Sequence, residues 1–480
     1  MDQNVFLWDR NSEIENSRRL GNLFFILAIV FGLMLIFLEP PFVCPDENAH
    51  FINICRISHG GLFVDTQDGQ AGSYITTEEL DFFNRYAGYY NGPANTNRFT
   101  YHAMRDFSAR PATGDMVFLI NDYSTLNPTA YLIPSVVLGF LRIFFDINAY
   151  NGLLIAKFVN LLVYAYVIRW ALKKTGAFRN TMFLLALMPM SIFQGASTSY
   201  DSIIISASFL LFAYATKILF SNEEYLISRE DVLAICFASA MLFGAKIAYA
   251  PLVLILLAIP LKKFGDWKRW GKCVGAVATV GFVFYLMPVV ITGSLTKSVD
   301  TGLSAMQIEQ QEYFMSNLGA FPNVIYSTLK HFAGYWIESF VGILGWLDTQ
   351  FPQAFIMSFL VISTGSAIID ACDVKGMGWK IRLCSFGGFA MFFIGTMLTM
   401  YVRWNPALVG IIGGNLIYGG QGRYFIPVAL FVLLTCGNSI VNKLKFVDRL
   451  KEKHFYTVAL VAFCSLCLTV MLIAGRYWMI

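Results

Sequence analysis

An adjacent Asp-Glu pair and a histidine follow the first hydrophobic segment of the chain. Asp46 and Glu47 come shortly after Pro40 and Pro41, and His50 stands one helical turn later. A carboxylate held where a membrane helix meets water is partly desolvated, which makes it a stronger base, and a lipid-linked substrate can reach it there. These residue types at this place predict general-base chemistry on a hydroxyl group, with His50 in a supporting role.

Other ionisable residues lie inside or at the ends of apolar segments. Asp201 follows a Ser-Thr-Ser-Tyr run, Lys157 lies about two turns into an apolar segment, Lys246 sits in a helix break, and Arg423 follows a glycine-rich turn. A charged residue within a membrane span costs about 2.5 to 3.5 kcal/mol unless it is paired or wetted. We expect these residues to converge on one side of the membrane, where they would suit an anionic lipid phosphate and a hydroxyl that must lose a proton.

Each of these residues also has a structural interpretation. The acidic pair and Asp201 could cap helices, and Lys246 could extend its ammonium to the membrane interface. Arg423 could pair with a lipid headgroup. His50 could orient Glu47 or bond within the loop that contains it. Trp346, in a Gly-Trp-Leu-Asp turn that ends at Asp348, could be an interfacial anchor instead of a sugar-stacking residue.

The composition indicates which elements must position these side chains. The 480 residues are 56% hydrophobic and 14% charged, which is too apolar for a soluble globular chain. The net charge is +4, and no basic block with interleaved aromatic residues indicates nucleic-acid binding. We therefore predict an all-α polytopic membrane protein in which residues 1–480 form a single integral membrane domain.

About 20 apolar residues are needed for each membrane span. On this criterion eleven segments qualify, and they are Leu20–Leu38, Tyr150–Trp170, Thr181–Phe193, Ser202–Phe220, Val232–Ala248, Pro251–Leu261, Val274–Ile291, Phe355–Ala371, Leu383–Tyr401, Phe425–Val441 and Tyr456–Ala474. Pro251–Leu261 is the weakest of them because it is short.

Basic residues in short loops predict the topology, because such loops stay cytoplasmic. Four loops carry this signal, with Lys173, Lys174 and Arg179; Lys262, Lys263, Lys268, Arg269 and Lys272; Lys375, Lys380 and Arg382; and Lys443, Lys445, Arg449, Lys451 and Lys453. All four are cytoplasmic only if the N-terminus is inside and Asn127–Phe145 does not cross the membrane. We interpret that segment as a juxtamembrane helix.

This topology places three stretches outside the cytoplasm: 39–148, 292–351 and 404–422. The first is a long loop with juxtamembrane helices, and its aromatic segment Asp81–Tyr90 is expected to pack on the bilayer surface. Cys44 and Cys55 are the two cysteines in this loop, and a disulfide between them stays open. The chain contains no N-x-S/T sequon, which favours a bacterial plasma membrane.

The acidic motif also resembles a known pattern. Pro-rich residues followed by Asp46-Glu47-Asn48-Ala49-His50-Phe51 resemble the P-P-D-E-x-x-H-F signature of a family of predicted bacterial membrane proteins known as Domain of Unknown Function 2142. Further patches resemble the family in order along the chain: Asn127 to Tyr131; Met188 to Gln194 with Asp201; Lys246, Tyr249 and Pro251; Gly342 to Asp348; and Gln421 to Pro427. Lys157 stands where the family pattern would have arginine, which puts a bidentate phosphate contact there in doubt.

That family looks like a branch of the GT-C superfamily of membrane glycosyltransferases, which use polyprenyl-phosphate or polyprenyl-diphosphate sugars. The resemblance implies a GT-C-like fold and sugar transfer to a cell-surface glycan or glycopolymer outside the cytoplasm. It implies Asp46 or Glu47 as general base, with Asp201 orienting the acceptor. The residues that the resemblance implies for substrate binding are His50, Lys157, Lys246, Tyr249, Trp346, Asp348, Arg423 and Tyr424.

Two questions stay open at this point. A divalent cation such as Mg²⁺ or Mn²⁺ could be held by Asp46, Glu47 and Asp201, although side-chain cations alone can neutralise a leaving phosphate. The alternative functions are a lipid-linked saccharide flippase or transporter, a polysaccharide ligase or polymerase, and a structural membrane subunit. A transporter would be expected to show internal repeats, and the sequence has no convincing repeat.

Overall fold

A computed structural model describes residues 3–112, 114–297, 305–371, 374, 377–435 and 445–478 of the chain. Lys375, Lys443 and the end of the tenth predicted span, residues 436–441, lie outside these residues. So do Cys372 and Cys436. Within the described part the chain is predominantly helical, and two small sheets accompany the helices.

The α-helices in chain order are α1 (Gln3–Leu38), α2 (Glu47–Ser58), α3 (Thr77–Tyr86), α4 (Tyr101–Ser108), α5 (Leu132–Arg142), α6 (Ala149–Lys174), α7 (Arg179–Ala186), α8 (Pro189–Gly195), α9 (Asp201–Phe220), α10 (Arg229–Ala245), α11 (Trp267–Gly281), α12 (Met287–Leu295), α13 (Ala305–Ser316), α14 (Phe321–Val341), α15 (Gln353–Ala371), α16 (Trp379–Thr399), α17 (Asn405–Val409), α18 (Ile426–Thr435) and α19 (Lys445–Tyr477). The strands are β1 (Asp65–Gln67), β2 (Gln70–Thr76), β3 (Met116–Ile120), β4 (Ile343–Leu344) and β5 (Thr349–Gln350).

Seven helical segments in the described part are long and apolar enough to cross a membrane. They are Ser17–Leu38, Ala149–Lys174, Asp201–Phe220, Trp267–Leu295, Gln353–Ala371, Trp379–Val409 and Lys453–Tyr477. The other four predicted spans correspond to shorter elements: α7 with α8, α10, a 3₁₀ helix (Ile247–Ala258), and α18. The total of eleven crossings therefore stays a prediction.

The 3₁₀ helix Ile247–Ala258 corresponds to the weakest predicted span. A 3₁₀ helix rises about 2 Å per residue, so its 12 residues extend about 24 Å, further than an α-helix of equal length. Pro251 lies within it, and Gly388 of α16 packs so closely that an added Cβ would lie 2.9 Å from the Pro251 carbonyl oxygen. The element thus returns the chain from Lys246 to the lysine-rich loop beyond Pro260.

The helical bundle has two ends, and the side-chain ion pairs at each end distinguish them. At one end two of the basic loops pair with the segment that joins α9 to α10 or with the first turn of α10: Lys174 pairs with Glu230 at 2.6 Å, and Lys262 pairs with Glu223 at 3.2 Å. We call it the basic end. At the other end the loop after α1 meets the residues before α9 and α18. This is the site end, and it contains Asp46. The basic loops and the acidic motif therefore lie at opposite ends of the bundle.

The described chain is mostly helical, as an all-α membrane protein should be, and the long first loop adds a small sheet that the sequence did not predict. This sheet is antiparallel in the order β1-β2-β3, with Gly72 facing both Asp65 and Ile120. A capping box at Thr76 and Glu79 begins α3 directly after β2. The apolar helix α5 follows a short 3₁₀ turn at Pro128–Tyr131, and the two together are too short to cross a membrane. This length agrees with the juxtamembrane interpretation.

The aromatic segment after β2 is interior to the loop and does not face outward as the sequence suggested. Phe82, Tyr86 and Tyr90 are buried. The Tyr86 and Phe107 rings lie 4.6 Å apart, and the Phe107 and Tyr150 rings lie 5.4 Å apart. These rings form a hydrophobic core that fixes the loop to the start of α6. Cys44 and Cys55 are buried free thiols, so no disulfide joins them.

Candidate active site

Asp46 occupies an unusual backbone position immediately before α2. Its φ is 64° and its ψ is 4°, in the left-handed region that Asp and Asn tolerate better than most side chains. The side chain makes no capping hydrogen bond to α2. Helix capping therefore does not account for this carboxylate, which points away from the helix and is 44% exposed. Strained backbone of this kind often marks a functional position.

Arg423 joins Asp46 to Asp201. Arg423 Nη2 donates to Asp46 Oδ2 at 3.1 Å, and Arg423 Nε lies 3.5 Å from Asp201 Oδ2. The Arg423 side chain is 4% exposed and that of Asp201 is 9% exposed. Nη1 of Arg423 is buried and has no hydrogen-bond partner among the described residues. One guanidinium thus contacts two carboxylates and keeps donor capacity for a ligand.

Arg423 is positioned by a close approach between the glycine-rich turn and α14. A Cβ on Gly422 would lie 1.9 Å from the Trp336 carbonyl oxygen, so only glycine fits there. The Gly422 amide donates to Ser339 Oγ at 2.8 Å, and Trp336 Nε1 donates to the Gly420 carbonyl at 3.0 Å. The sequence Gly419-Gly420-Gln421-Gly422 is therefore required for the packing that places the guanidinium.

Asp201 is positioned by hydroxyl groups in the turn before α9. Ser197 Oγ donates to the Gln194 carbonyl and accepts from the Ser199 amide, while Ser199 Oγ accepts from the Asp201 amide at 3.2 Å. Short hydroxyl side chains can take over such backbone bonds where a helix is interrupted. The Ser-Thr-Ser run thus ends α8 and starts α9 at the residue that meets Arg423.

Glu47 has a different environment from its neighbour Asp46. Its side chain is 0% exposed, and Glu47 Oε2 lies 3.2 Å from Lys157 Nζ. Lys157 is 1% exposed and also contacts Glu39 Oε2 at 3.3 Å. The Thr198 amide donates to Glu47 Oε1, and the Thr198 hydroxyl donates to the Glu47 carbonyl. Glu47 therefore anchors α2 to α6 and to the turn before Asp201.

Glu39 completes this buried group immediately after the first span. Burial, and to a lesser extent the nearby charge of Glu47, raise the pKa of Glu39 to about 8, although Lys157 opposes the shift. At neutral pH Glu39 is therefore mostly protonated, and the Glu47–Lys157 pair is close to neutral overall. Lys157 has almost no exposed surface and holds these two acids in place, and the substrate contact expected for it stays a prediction.

His50 is held by two tyrosines beneath Asp46. Its Nδ1 shares a 2.7 Å hydrogen bond with the Tyr131 hydroxyl, and its ring lies 4.5 Å from the Tyr200 ring in an edge contact. Burial lowers the pKa of His50 to about 4, although Asp46 and Asp201 partly offset this effect. His50 is therefore neutral at physiological pH. It is buried, so it supports the site and does not present a surface to substrate.

Lys246 is the second cation at this end. Its extended backbone, with φ of −159°, separates α10 from the 3₁₀ helix. The Nζ atom lies 4.1 Å from the centre of the Tyr424 ring and 5.9 Å from that of Tyr200. Arg423 faces the same Tyr424 ring at 5.5 Å. Among the described residues no carboxylate lies within ion-pair distance of Lys246, so its charge is available to a ligand.

Tyr249 links the Lys246 segment to the Arg423 segment. Its hydroxyl donates to the Tyr424 carbonyl at 3.0 Å, and its ring stacks on Phe392 at 4.7 Å. Tyr249 is buried and holds the two segments together, and the substrate contact predicted for it stays a prediction. Tyr424 is partly exposed and can still contact a ligand.

Asp348 belongs to a separate group of side chains at the site end, and the substrate contact expected for it stays a prediction. Its buried carboxylate is 2.9 Å from both Arg476 Nη2 and the Tyr477 hydroxyl. Trp478 Nε1 donates to the Leu38 carbonyl at 2.7 Å. We call Asp348 and residues 476–478 the C-terminal clasp. Trp346 lies partly exposed in the β4–β5 turn, and neither residue contacts the Asp46 group in the described structure.

The first loop is bonded to the clasp as well. Arg98 donates to the Arg476 carbonyl at 2.7 Å, and the Phe99 amide donates to the Tyr477 carbonyl. The C-terminal residues therefore hold the loop over the end of α1, from which the chain continues to Asp46.

The family of predicted membrane proteins DUF2142 matches residues 29–432. This chain belongs to that family. The match begins within α1 and ends within α18, so it includes Asp46, Asp201, Lys246 and Arg423 but not the clasp residues 476–478. No curated protein and no solved structure matches the chain.

The metal ligands that the sequence suggested are each next to a cation in this DUF2142 chain. Asp46 and Asp201 contact Arg423, and Glu47 contacts Lys157. Within the described ranges, no group of three His, Cys, Asp or Glu side chains is arranged to hold a metal ion. The site therefore balances its carboxylates with guanidinium and ammonium groups.

Three site residues of the DUF2142 chain were missed as such from the sequence. Tyr131 and Tyr200 enclose His50, and Glu39 shares Lys157 with Glu47. Weak signals existed for all three. Tyr131 ends the Asn-Pro-Thr-Ala-Tyr patch, Tyr200 precedes Asp201, and Glu39 is an acid directly after an apolar span. None of these signals indicates a partner, because each partner is distant in the sequence.

Proposed function

We propose that this chain is a membrane glycosyltransferase that moves a sugar from a polyprenyl-phosphate carrier to a hydroxyl of a cell-surface glycan or glycopolymer. The observation that carries the proposal is the contact of Arg423 with Asp46 and Asp201, with Lys246 nearby, at one end of a bundle of apolar helices. It supplies a partly exposed carboxylate as base and two cations for a phosphate leaving group.

Asp46 is the better candidate for the general base. Its carboxylate is partly exposed and has one ion-pair partner, whereas Glu47 is buried against Lys157. Asp46 would accept the acceptor's hydroxyl proton as that oxygen bonds to the anomeric carbon. The bond from the anomeric carbon to the phosphate oxygen breaks, and its electron pair stays on the phosphate. The products are the glycosylated acceptor, the lipid phosphate and protonated Asp46, which then releases its proton to solvent.

Arg423 and Lys246 would stabilise the charge that develops on the phosphate. Preorganised cations and hydrogen-bond donors are effective where water is excluded. Arg423 Nη1 is buried without a partner in the described structure, and Lys246 has no carboxylate within ion-pair distance there. Asp201, held by the serine turn, would keep the guanidinium in place or orient the acceptor. Tyr424, between the two cations, and Trp346 in its partly exposed turn are the aromatic surfaces available to the sugar.

The surroundings of the two cations support a lipid-linked donor. An apolar cavity of about 470 Å³, lined by residues including Trp336, Phe340 and Phe425, lies beside the Arg423 turn. A second apolar cavity of about 610 Å³ includes Phe243 and Ile247 on either side of Lys246. Apolar space next to a phosphate-binding group suits an isoprenoid phosphate better than a soluble nucleotide sugar.

The proposed location is a bacterial plasma membrane with the site end outside the cytoplasm. The support is the separation of charges, since the basic loops lie together at the opposite end. A polyprenyl-linked sugar in the outer leaflet could then approach Asp46 from the membrane.

The test uses the full-length protein in lipid nanodiscs with a panel of polyprenyl-phosphate sugars and a bacterial cell-surface glycan fraction. Mass spectrometry of the lipids would follow the release of polyprenyl phosphate. We expect release with at least one donor, and a loss of about 100-fold or more in Arg423→Ala. If the wild type carries intact lipid-linked sugar across vesicle membranes without cleaving any donor, the transporter alternative is supported and the enzyme proposal fails.

A further inference from the structure

Arg423, the cation best placed to bind a phosphate, is hydrogen-bonded to Asp46, the best candidate for the general base. Arg423 Nη2 donates to Asp46 Oδ2 at 3.1 Å in the structure without substrate. A carboxylate oxygen that already accepts a hydrogen bond from a guanidinium has less capacity to accept one from a substrate hydroxyl. In this arrangement one carboxylate oxygen of Asp46 and one N–H group of Arg423 are occupied by the bond between them, so neither is available to a substrate.

We propose that the donor's phosphate competes with Asp46 for Arg423, so that donor binding frees the Asp46 carboxylate to act as base. This inference rests on the proposed function and adds an order to it: the donor binds before the acceptor is activated. The proton-transfer step is the one given above, and no further reactant is needed.

The two carboxylates on Arg423 differ in how easily they can leave it. Asp46 is 44% exposed, and in the described structure its carboxylate has the guanidinium as its one hydrogen-bond partner. Asp201 is 9% exposed, and its backbone is fixed by the serine turn. Water screens and hydrates the exposed carboxylate of Asp46, so an incoming phosphate can displace it more easily than it can displace the buried carboxylate of Asp201. Asp46 is therefore the partner that would be exchanged, while Asp201 keeps the guanidinium in position.

The phosphate can bind to Lys246 before it displaces Asp46 from Arg423. The ammonium group lies over the Tyr424 ring, the ring that Arg423 also faces. Because both cations face the same ring, a phosphate drawn to Lys246 would be brought towards the guanidinium of Arg423, whose Nη1 atom has no hydrogen-bond partner among the described residues. Formation of a bidentate bond to the guanidinium would then turn Nη2 away from Asp46.

The distinctive consequence is that removal of the proposed base should strengthen donor binding. We would measure the binding of polyprenyl phosphate, which carries no sugar to transfer, to the full-length protein in nanodiscs. Asp46→Asn should bind this lipid about two- to fivefold more tightly than wild type, because the competing charge is lost. Transfer by the same variant should be lost. Asn tolerates the left-handed backbone at this position, and Asp46→Gly is a second variant that fits φ of 64°.

Asp106→Asn is the matched control. It removes one negative charge from the same loop at an exposed ion pair with Arg105, away from Arg423. Its affinity for polyprenyl phosphate should equal that of wild type, which separates competition at Arg423 from a general effect of net charge. Unchanged or weaker binding in both Asp46 variants would overturn the inference. If wild type does not bind the lipid phosphate at all, the proposed function itself fails.

Discussion

Asp46 and Glu47 are neighbours in the sequence, yet the side chain of Asp46 is 44% exposed and that of Glu47 is 0% exposed. The left-handed backbone of Asp46 turns its carboxylate towards Arg423, while Glu47, the first residue of α2, faces Lys157 inside the bundle. Two adjacent acids therefore have separate roles, one at the surface of the site and one beneath it.

Substitution of these two acids should affect different properties. Glu47→Gln removes one charge from a buried ion pair, which typically costs about 3 kcal/mol, so thermal unfolding in detergent should occur at a clearly lower temperature. Asp46→Asn changes the more exposed partner of Arg423, which keeps its contact with Asp201, and should leave the unfolding temperature nearly unchanged. Equal destabilisation by both substitutions would contradict the separation of roles.

The mostly helical membrane character of the chain and the main charged residues of the site could be predicted from the sequence, whereas the eleven crossings and their orientation stay predictions. Asp46, Asp201, Lys246 and Arg423 stand out because an ionisable residue at the end of an apolar segment needs a partner or water. The seven long apolar helices were recognisable from length and hydropathy alone. The juxtamembrane interpretation followed from the distribution of Lys and Arg, which is a property of the whole chain and not of one segment.

Other features depend on contacts that the sequence does not encode locally. Strand β3 pairs with β2 from about 40 positions further along the chain, so the small sheet in the first loop had no local signal. The contact between Lys157 and Glu47 spans two distant segments, and so does the contact between Asp348 and Arg476. The charged side chains of these residues indicated that each would form an ion pair. Which partner each one has is determined by the packing of the helices and not by the local sequence.

The pH dependence of stability should report the burial of His50. Its pKa is about 4 in the folded chain and near 6.5 when unfolded, so between these values the unfolded chain binds a proton that the folded chain does not. Stability should therefore fall as the pH is lowered from about 6.5 towards 4, by at most about 3 kcal/mol. Thermal unfolding of wild type at a series of pH values in this range would measure the slope.

His50→Gln should flatten this slope, because glutamine cannot take up the proton. His102 is exposed and serves as the matched histidine, so His102→Gln should leave the slope as in wild type. A slope that His50→Gln does not change would show that other groups cause the acid sensitivity.

Removal of divalent cations should leave sugar transfer unchanged. Arg423 contacts both Asp46 and Asp201, and Lys246 faces the same Tyr424 ring as Arg423, so a guanidinium and an ammonium already balance the two negative charges that a metal ion would neutralise there. Transfer rates measured in excess EDTA and in excess Mg²⁺ or Mn²⁺ should agree within about twofold. A rate that disappears with EDTA and returns with one of these cations would show that a metal displaces Arg423 during the reaction.

The C-terminal clasp should stabilise the first loop. Asp348→Asn weakens the bonds of a buried carboxylate to Arg476 and Tyr477, a change that typically costs about 1 to 3 kcal/mol. We expect faster hydrogen exchange around Phe99, whose backbone amide is bonded to the Tyr477 carbonyl. Arg105→Ala, at an exposed ion pair in the same loop, is the control and should leave exchange at Phe99 unchanged. Unaltered exchange in Asp348→Asn would mean that the loop is held elsewhere.

The most direct test of Asp46 as the base is a single-turnover measurement with a polyprenyl-phosphate sugar already bound. Wild type and Asp46→Asn would be saturated with donor, mixed with acceptor glycan, and followed by the appearance of glycosylated product. The predicted result is a fall in rate of about 100-fold or more in Asp46→Asn, at equal or greater donor occupancy. Equal single-turnover rates in the two proteins would contradict the central claim.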